Sequence, residues 1–201
     1  MNAPATPSKP LGLVLGSSSV YRRELLSRLC LPFEVSSPDV DETPRPAEAP
    51  LALAQRLALT KAQAVAQQFP QHVVIGSDQV VDLNGTPLGK PGTHPRAVEQ
   101  LQRMRGQTVQ FHTAVAVVHP ATGLCLQDTA TVHVVFRQYS DEEIERYLQR
   151  EQPYDCAGSA KSEGLGIAML DRIDSDDPTA LIGLPLIRTA RMLRQAGLVL
   201  P

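Results

Sequence analysis

The sequence predicts an α/β fold with mixed strand pairing, and three observations carry that prediction. Short runs rich in β-branched residues alternate with helical stretches from residue 11 onward, the pattern of a sheet flanked by helices. Two long β segments, 107–119 and 124–137, are joined by Pro120-Ala121-Thr122-Gly123 and form the strongest hairpin signal in the chain. The 201 residues are 42% hydrophobic and 20% charged, an ordinary globular balance that supports one sizeable domain or two tightly joined lobes. Residues 11–201 are therefore expected to form a single domain, behind a polar, Pro-rich, disordered tail at 1–10.

Leu11 to Leu15 is an apolar run suited to a buried strand, and a helix follows from Ser19 to Cys30 with Leu25, Leu26 and Leu29 on one face. Phe33 to Val35 suggests a second strand. Residues 36–50, with Pro38, Pro44, Pro46 and Pro50 among Asp and Glu, read as an irregular loop. Pro50 to Phe69 is rich in Ala, Leu and Gln and predicts a long helix. His72 to Ile75 is a buried strand, Val80 to Leu83 continues extended, and Asn84-Gly85 marks a tight hairpin turn. Thr93 to Arg105 predicts a helix with Thr93 as its cap. Ser140 to Arg150 predicts another, opened by a capping box from Ser140 to Glu143. Residues 152–177 read as loop, and Thr179 to Ala196 as a final helix.

Bulk composition excludes several function classes. The net charge of −2 offers no basic field for long nucleic acid. With no Trp and eight Phe and Tyr residues together, a stacking platform for single strands is not expected. Cys30, Cys125 and Cys156 have neither metal-ligand nor redox spacing, and their odd number points to a reducing compartment. No signal-peptide pattern and no apolar run of membrane-spanning length is present, so a cytoplasmic protein without membrane contact is expected.

The strand, the small-residue turn Gly16-Ser17-Ser18-Ser19 and the helix start with Arg22 and Arg23 form the first candidate site. Free N–H groups at a helix N-terminus suit an anion, hydroxyls can cap or donate, and guanidinium groups fork onto phosphate. Arginines in a first helical turn oppose the helix dipole, which a bound polyphosphate would explain. The alternative is a serine-capped helix with surface arginines. The second candidate is Asp78, set between the β-branched runs Val73-Val74-Ile75 and Val80-Val81. It reads as a general base or metal ligand at a strand end, or as an Asp bonding the N–H groups of a turn. Gly76 just before it leaves room for a ligand or another backbone.

Asp39, Asp41 and Glu42 could together hold a hard divalent cation, or form a solvated acidic loop. Lysine is scarce: four of the 19 basic residues, namely Lys9, Lys61, Lys90 and Lys161. The last three suit phosphate as compact point charges, or are an accident of composition. No phosphate-binding Gly-rich loop and no nucleophile elbow is present, the five histidines lack zinc spacing, and Cys156 has no evident activator.

Taken in order, Leu-Gly-Ser-Ser-Ser-Val-Tyr-Arg-Arg-Glu-Leu-Leu, Val-Asp-Glu-Thr-Pro, Lys61-Ala62, Ile-Gly-Ser-Asp-Gln-Val, Gly-Lys-Pro, Cys-Ala-Gly-Ser-Ala-Lys-Ser-Glu-Gly and Ile-Gly-Leu-Pro-Leu make a chain that resembles the Maf family of nucleotide pyrophosphatases from about residue 11 to the last helix. The resemblance implies a fold like that of inosine triphosphate pyrophosphatases, an elongated mixed sheet with helices in two lobes around a nucleotide cleft. It implies hydrolysis of a nucleoside triphosphate to the monophosphate and diphosphate with a divalent metal (Mg, Mn or Co). Asp78 would be the proton acceptor, and with Glu42 would hold the metal. Ser17, Ser19, Arg22, Arg23, Lys61 and Lys90 would surround the phosphates. Tyr21, Gln79 and Glu163 fall where the family sets base specificity. Asp78-Gln79 and Lys161-Ser162-Glu163-Gly164 look like the branch acting on 7-methyl-GTP. The alternatives are the dTTP/UTP branch, a broader modified-nucleotide specificity, or a non-catalytic nucleotide-binding regulator of cell division. A homodimer is what the family suggests. Gly16 stands in place of a usual Ala without consequence, Val20 stands in place of a usual Pro that suits a first helical turn, and Tyr21 in place of a common Trp makes the base contact aromatic but smaller.

Overall fold

The computed structural model describes residues 11–201; the tail assigned to 1–10 lies outside the described residues. Among the described residues, seven strands form one mixed sheet: β1 (Leu13–Gly16), β2 (Glu34–Ser36), β3 (Val73–Leu83), β4 (Thr86–Leu88), β5 (Thr108–His119), β6 (Leu124–Phe136) and β7 (Leu170–Asp174). The order is β2-β1-β3-β5-β6-β7, with β4 attached to β3. β1 pairs in parallel with β2 and β3, whereas β3, β5, β6 and β7 pair antiparallel. The helices are α1 (Val20–Ser27), α2 (Pro50–Ala66), α3 (His94–Met104), α4 (Asp141–Glu151) and α5 (Leu186–Gln195).

The long hairpin is β5 and β6, with Gly123 in the left-handed conformation that closes the loop. Asn84 and Gly85 both take positive φ, the requirement of a tight hairpin turn, and connect β3 to β4. The capping box at Ser140 and Glu143 forms as read. Thr93 takes the N-cap position of α3, but its hydroxyl makes no capping bond.

Four expectations change. The stretches 72–75 and 80–83 are one continuous strand, so Asp78 lies in mid-strand and not at a strand end. The loop 152–177 contains short 3-10 turns and the edge strand β7, whose exposed polar sequence Leu-Asp-Arg-Ile-Asp carries no strand periodicity. The final helix is broken: Ala180–Ile182 is a 3-10 turn, Gly183 has φ 128°, and Pro185 caps α5. The helix after β1 is short, ending at Ser27.

Helices cover the sheet unequally. α2 lies on one face, with Leu53, Leu57 and Val65 packed on Val74, Val80 and Ala116. On the other face, α1 and α5 pack Leu25, Leu26 and Met192 on Ile75 and Val117. Further along that face, α3 and α4 pack Leu101, Met104 and Leu148 on Val81, Phe111 and Val132. Two lobes result, and the junction between them falls at the middle of β3. There β1 has ended opposite Gly76 and β4 has not begun until Val81, so residues 77–80 keep β5 on one edge and, among the described residues, have no strand on the other.

Candidate active site

A cleft of about 610 Å³ opens at this break in the sheet. β3 presents successive side chains to opposite faces. Asp78 points toward α2, where Lys61 Nζ stands 2.6 Å from Asp78 Oδ1. The same ammonium lies 2.7 Å from Glu42 Oε1, which reaches in from the 37–49 loop. Asp78 and Lys61 are buried, and the Glu42 side chain is exposed at the mouth. Gly76 is what lets α2 come so near: a Cβ there would collide with the Ala58 carbonyl oxygen and the Ala62 nitrogen. The room predicted beside Asp78 is therefore taken by the backbone of α2, and that close approach sets Lys61 beside the carboxylate.

On the opposite face Ser77 and Gln79 hold the 180–183 turn. Ser77 Oγ lies 2.8 Å from the Ala114 carbonyl oxygen and 3.2 Å from that of Gly183, and the Gln79 amide donates to Thr113 Oγ1, Ala180 O and Leu181 O at 2.9–3.1 Å. Arg22 reaches the same turn, its Nε donating to the Gly183 carbonyl at 2.8 Å. Burial pulls the Arg22 pKa down, while the negative charges of Asp78 and Glu42 oppose that shift.

The serine turn is compact. Ser17 is buried and accepts the Ser19 N–H at 3.1 Å. Ser19 is the N-cap of α1, accepting the Arg22 N–H at 3.3 Å, so the helix begins cleanly at Val20 without a proline. Ser17, Ser19, Tyr21, Arg22, Glu42, Lys61, Asp78, Gln79, Lys90 and Glu163 all line the cleft. Arg23 does not. It follows Arg22 by one residue, about 100° around the helix, and is exposed.

At the far end of the cleft, Tyr21 Oη lies 3.4 Å from Asp155 Oδ2, and Lys161 Nζ lies 5.7 Å from the centre of the Tyr21 ring. Lys161 pairs with Glu151 at 3.0 Å. Partial burial raises the Glu163 carboxyl above its ordinary range. Burial, helped by the nearby Asp155 charge, pushes the Cys156 thiol up to about 12, which leaves it protonated and a poor nucleophile.

The sequence profile of the family described as Maf-like protein matches residues 12–196. The chain belongs to the Maf family. A relative from a Polaromonas species, named 7-methyl-GTP pyrophosphatase, is 68% identical across 96% of this chain and 87% of its own length. Relatives of the same name from Albidiferax ferrireducens and Aromatoleum aromaticum are 66% and 60% identical, over 92% and 94% of this chain and 94% and 97% of theirs. Among solved structures, a HAM1 protein from Coxiella burnetii is similar with a TM-score of 0.48 and 18% identity, over 64% of this chain and 74% of that one.

In this Maf-family chain no group of three or more His, Cys, Asp or Glu side chains is arranged to hold a metal among the described residues. Glu42 and Asp78 do converge, each within hydrogen-bond distance of the one ammonium that stands between them. A small hard cation is commonly held by one or two carboxylates together with substrate phosphates. The pair therefore fits a cation that arrives with a triphosphate, and does not fit a resident ion caged by protein alone.

Sequence reasoning missed Asp155 and the 180–183 turn. Asp155 carries no local signal. The turn was hidden inside an apparent helix, although Gly183 and Pro185 were available as breakers.

Proposed function

We propose that this chain hydrolyses 7-methyl-GTP to 7-methyl-GMP and diphosphate. The observation that carries the reading is the buried Asp78–Lys61 pair, joined by Glu42, in the stretch of β3 that, among the described residues, lacks a neighbouring strand on its cleft edge. A carboxylate and an ammonium are placed there beside a serine-capped helix start. The names of the relatives supply the substrate.

The triphosphate lies along the serine turn, with Ser17 and Ser19 donating hydroxyls and Arg22 and Lys90 supplying positive charge. Lys61 engages Oδ1 of Asp78; Oδ2 is the oxygen that takes the proton from water. The water oxygen bonds to the α-phosphorus, the bridge to the β-phosphate breaks, and diphosphate leaves with its negative charge offset by Lys61, Lys90 and Arg22. A divalent cation (Mg, Mn or Co) held by Glu42 and Asp78 with the phosphates would neutralise charge and make the water more acidic.

The base lies at the Tyr21 end. A guanine methylated at N7 is cationic, so the Glu163 carboxylate and the Tyr21 ring favour it over plain guanine. Lys161 covers one face of Tyr21, which leaves the other for the base. Gln79 acts on this end through the turn it holds, since Leu181 and Ile182 line the cleft.

The test is a panel of nucleoside triphosphates, including 7-methyl-GTP, GTP, dTTP and UTP, with diphosphate release followed with and without divalent metal. The highest kcat/KM is expected for 7-methyl-GTP. A preference for dTTP or UTP overturns the substrate assignment. Binding without release from any of them overturns the hydrolase reading and favours a nucleotide-binding regulator.

A further inference from the structure

Glu42 is the exposed member of the acidic pair, and it sits on a loop of thirteen-odd residues without secondary structure, roughly the length at which a loop needs its own anchors to be ordered. What fixes that loop is Arg56, one and a half turns before Lys61 on α2. Arg56 Nε lies 2.6 Å from Glu48 Oε1 and Nη2 lies 2.8 Å from Glu48 Oε2, a two-toothed fork. The same Nη2 donates to the carbonyl oxygen of Thr43 at 3.1 Å, and Thr43 is the neighbour of Glu42. The Thr43 N–H in turn bonds Asp41 Oδ1 at 2.9 Å, so both sides of Glu42 are pinned. Glu48 also accepts the Arg45 N–H at 2.9 Å. The Arg56 and Glu48 side chains are mostly buried, at 17% and 9% exposure, whereas exposed ion pairs on a flexible loop are usually worth little. Arg56 is not among the residues that line the cleft.

We infer that Arg56 is a positioning residue for the reaction: by forking onto Glu48 and holding the Thr43 carbonyl it straps the 37–49 loop to α2 and fixes the Glu42 carboxylate against Lys61, opposite Asp78. The helix that carries Lys61 thus also carries the latch for the carboxylate that Lys61 meets. One rigid element sets both sides of the ion triad, and misplacing a group by a fraction of its contact distance is costly in a reaction that depends on alignment. This inference rests on the proposed hydrolysis for its kinetic consequence, but not for its structural one.

The test combines hydrogen exchange of the full chain without nucleotide and steady-state kinetics with 7-methyl-GTP, on the parent, Arg56→Gln, Glu48→Gln, Glu42→Gln and the double variant Arg56→Gln/Glu42→Gln. Loop amides at 41–48 are expected to exchange roughly tenfold faster in Arg56→Gln and in Glu48→Gln, while amides of β3 and β5 keep their protection. Arg56→Gln is expected to lower kcat/KM roughly tenfold, and the double variant to be no worse than Glu42→Gln alone, because the latch acts only through Glu42. Arg56→Lys keeps the charge but not the fork and is expected to recover only part of the loss. Unchanged loop exchange in both single variants overturns the latch. Losses that multiply in the double variant overturn its action through Glu42. If the parent does not turn over 7-methyl-GTP, the substrate reading has failed, and the exchange data still decide the latch.

Discussion

The two ends of the cleft are built differently. At the phosphate end, Asp78, Lys61, Ser19 and Arg22 stand on, or cap, regular elements: the strand β3 and the helices α2 and α1, while Ser17, Glu42 and Lys90 reach it from the segments that flank them. Asp78, Lys61 and Glu42 are already paired there, and the backbone of α2 is pressed against β3 at Gly76. At the base end, Asp155, Cys156 and Glu163 come from the irregular stretch 152–169, and only Tyr21 belongs to a helix. Chemistry needs atoms held in place and is assigned to the rigid end. Selection among bases can be changed by altering a loop, without disturbing the reacting groups.

The largest expected effect breaks the rigid end. Asp78→Asn keeps the size of the side chain and removes the proton acceptor, and diphosphate release should fall by about 10²–10⁴-fold while thermal unfolding shows a folded protein. A loss under tenfold would remove Asp78 from the role of base. Next comes Gly76→Ala. It touches no substrate, but its methyl group meets the Ala58 carbonyl, and α2 must shift. Denaturant titration should show about 1–3 kcal/mol of destabilisation, with a loss of kcat as Lys61 moves off Asp78. An unaffected kcat would mean that the spacing of α2 from β3 is not what places Lys61.

The base end should respond in selectivity and not in rate. Glu163→Gln is expected to reduce the preference for 7-methyl-GTP over GTP by roughly tenfold, mostly through KM. The Glu163 pKa is raised by partial burial. The carboxylate form, and with it the preference, should therefore grow as pH rises from the ordinary carboxylate range toward neutrality, and Glu163→Gln should flatten that rise. An unchanged preference removes Glu163 from base selection. The smallest effect is expected of Cys156→Ser. A thiol pushed up to about 12 is not a nucleophile at neutral pH. Activity should change by no more than about twofold, and insensitivity to thiol-directed reagents should accompany it.

Legibility in the sequence divides along the same line. The strand, the serine turn and the arginine-bearing helix were visible because each obeys a local rule: an apolar run, a capping residue and helical spacing. Asp78 stood out as an acid between β-branched runs, although its neighbours could not tell mid-strand from strand end. Lys61 was marked by the scarcity of lysine and by the Lys61-Ala62 motif of the family resemblance. Its meeting with Asp78 depends on α2 crossing β3 at Gly76, which no local pattern encodes. Glu42 was one of four carboxylates on an irregular loop, and its selection came from family resemblance. Arg23 was grouped with Arg22 because sequence adjacency hides the turn of the helix between them. The base end was the least legible. Gln79 reaches Leu181 across 102 positions and Tyr21 reaches Asp155 across 134, and such contacts exist only once the two lobes have formed.

Hydrolysis in water enriched in oxygen-18 tests the central claim most directly, because it reports which phosphorus the activated water attacks. With 7-methyl-GTP as substrate, mass spectrometry should find the label in 7-methyl-GMP and none in diphosphate. The Asp78→Asn variant should produce neither labelled product at a comparable rate. Label in diphosphate, or in inorganic phosphate released from the γ position, would contradict attack at the α-phosphorus beside Asp78.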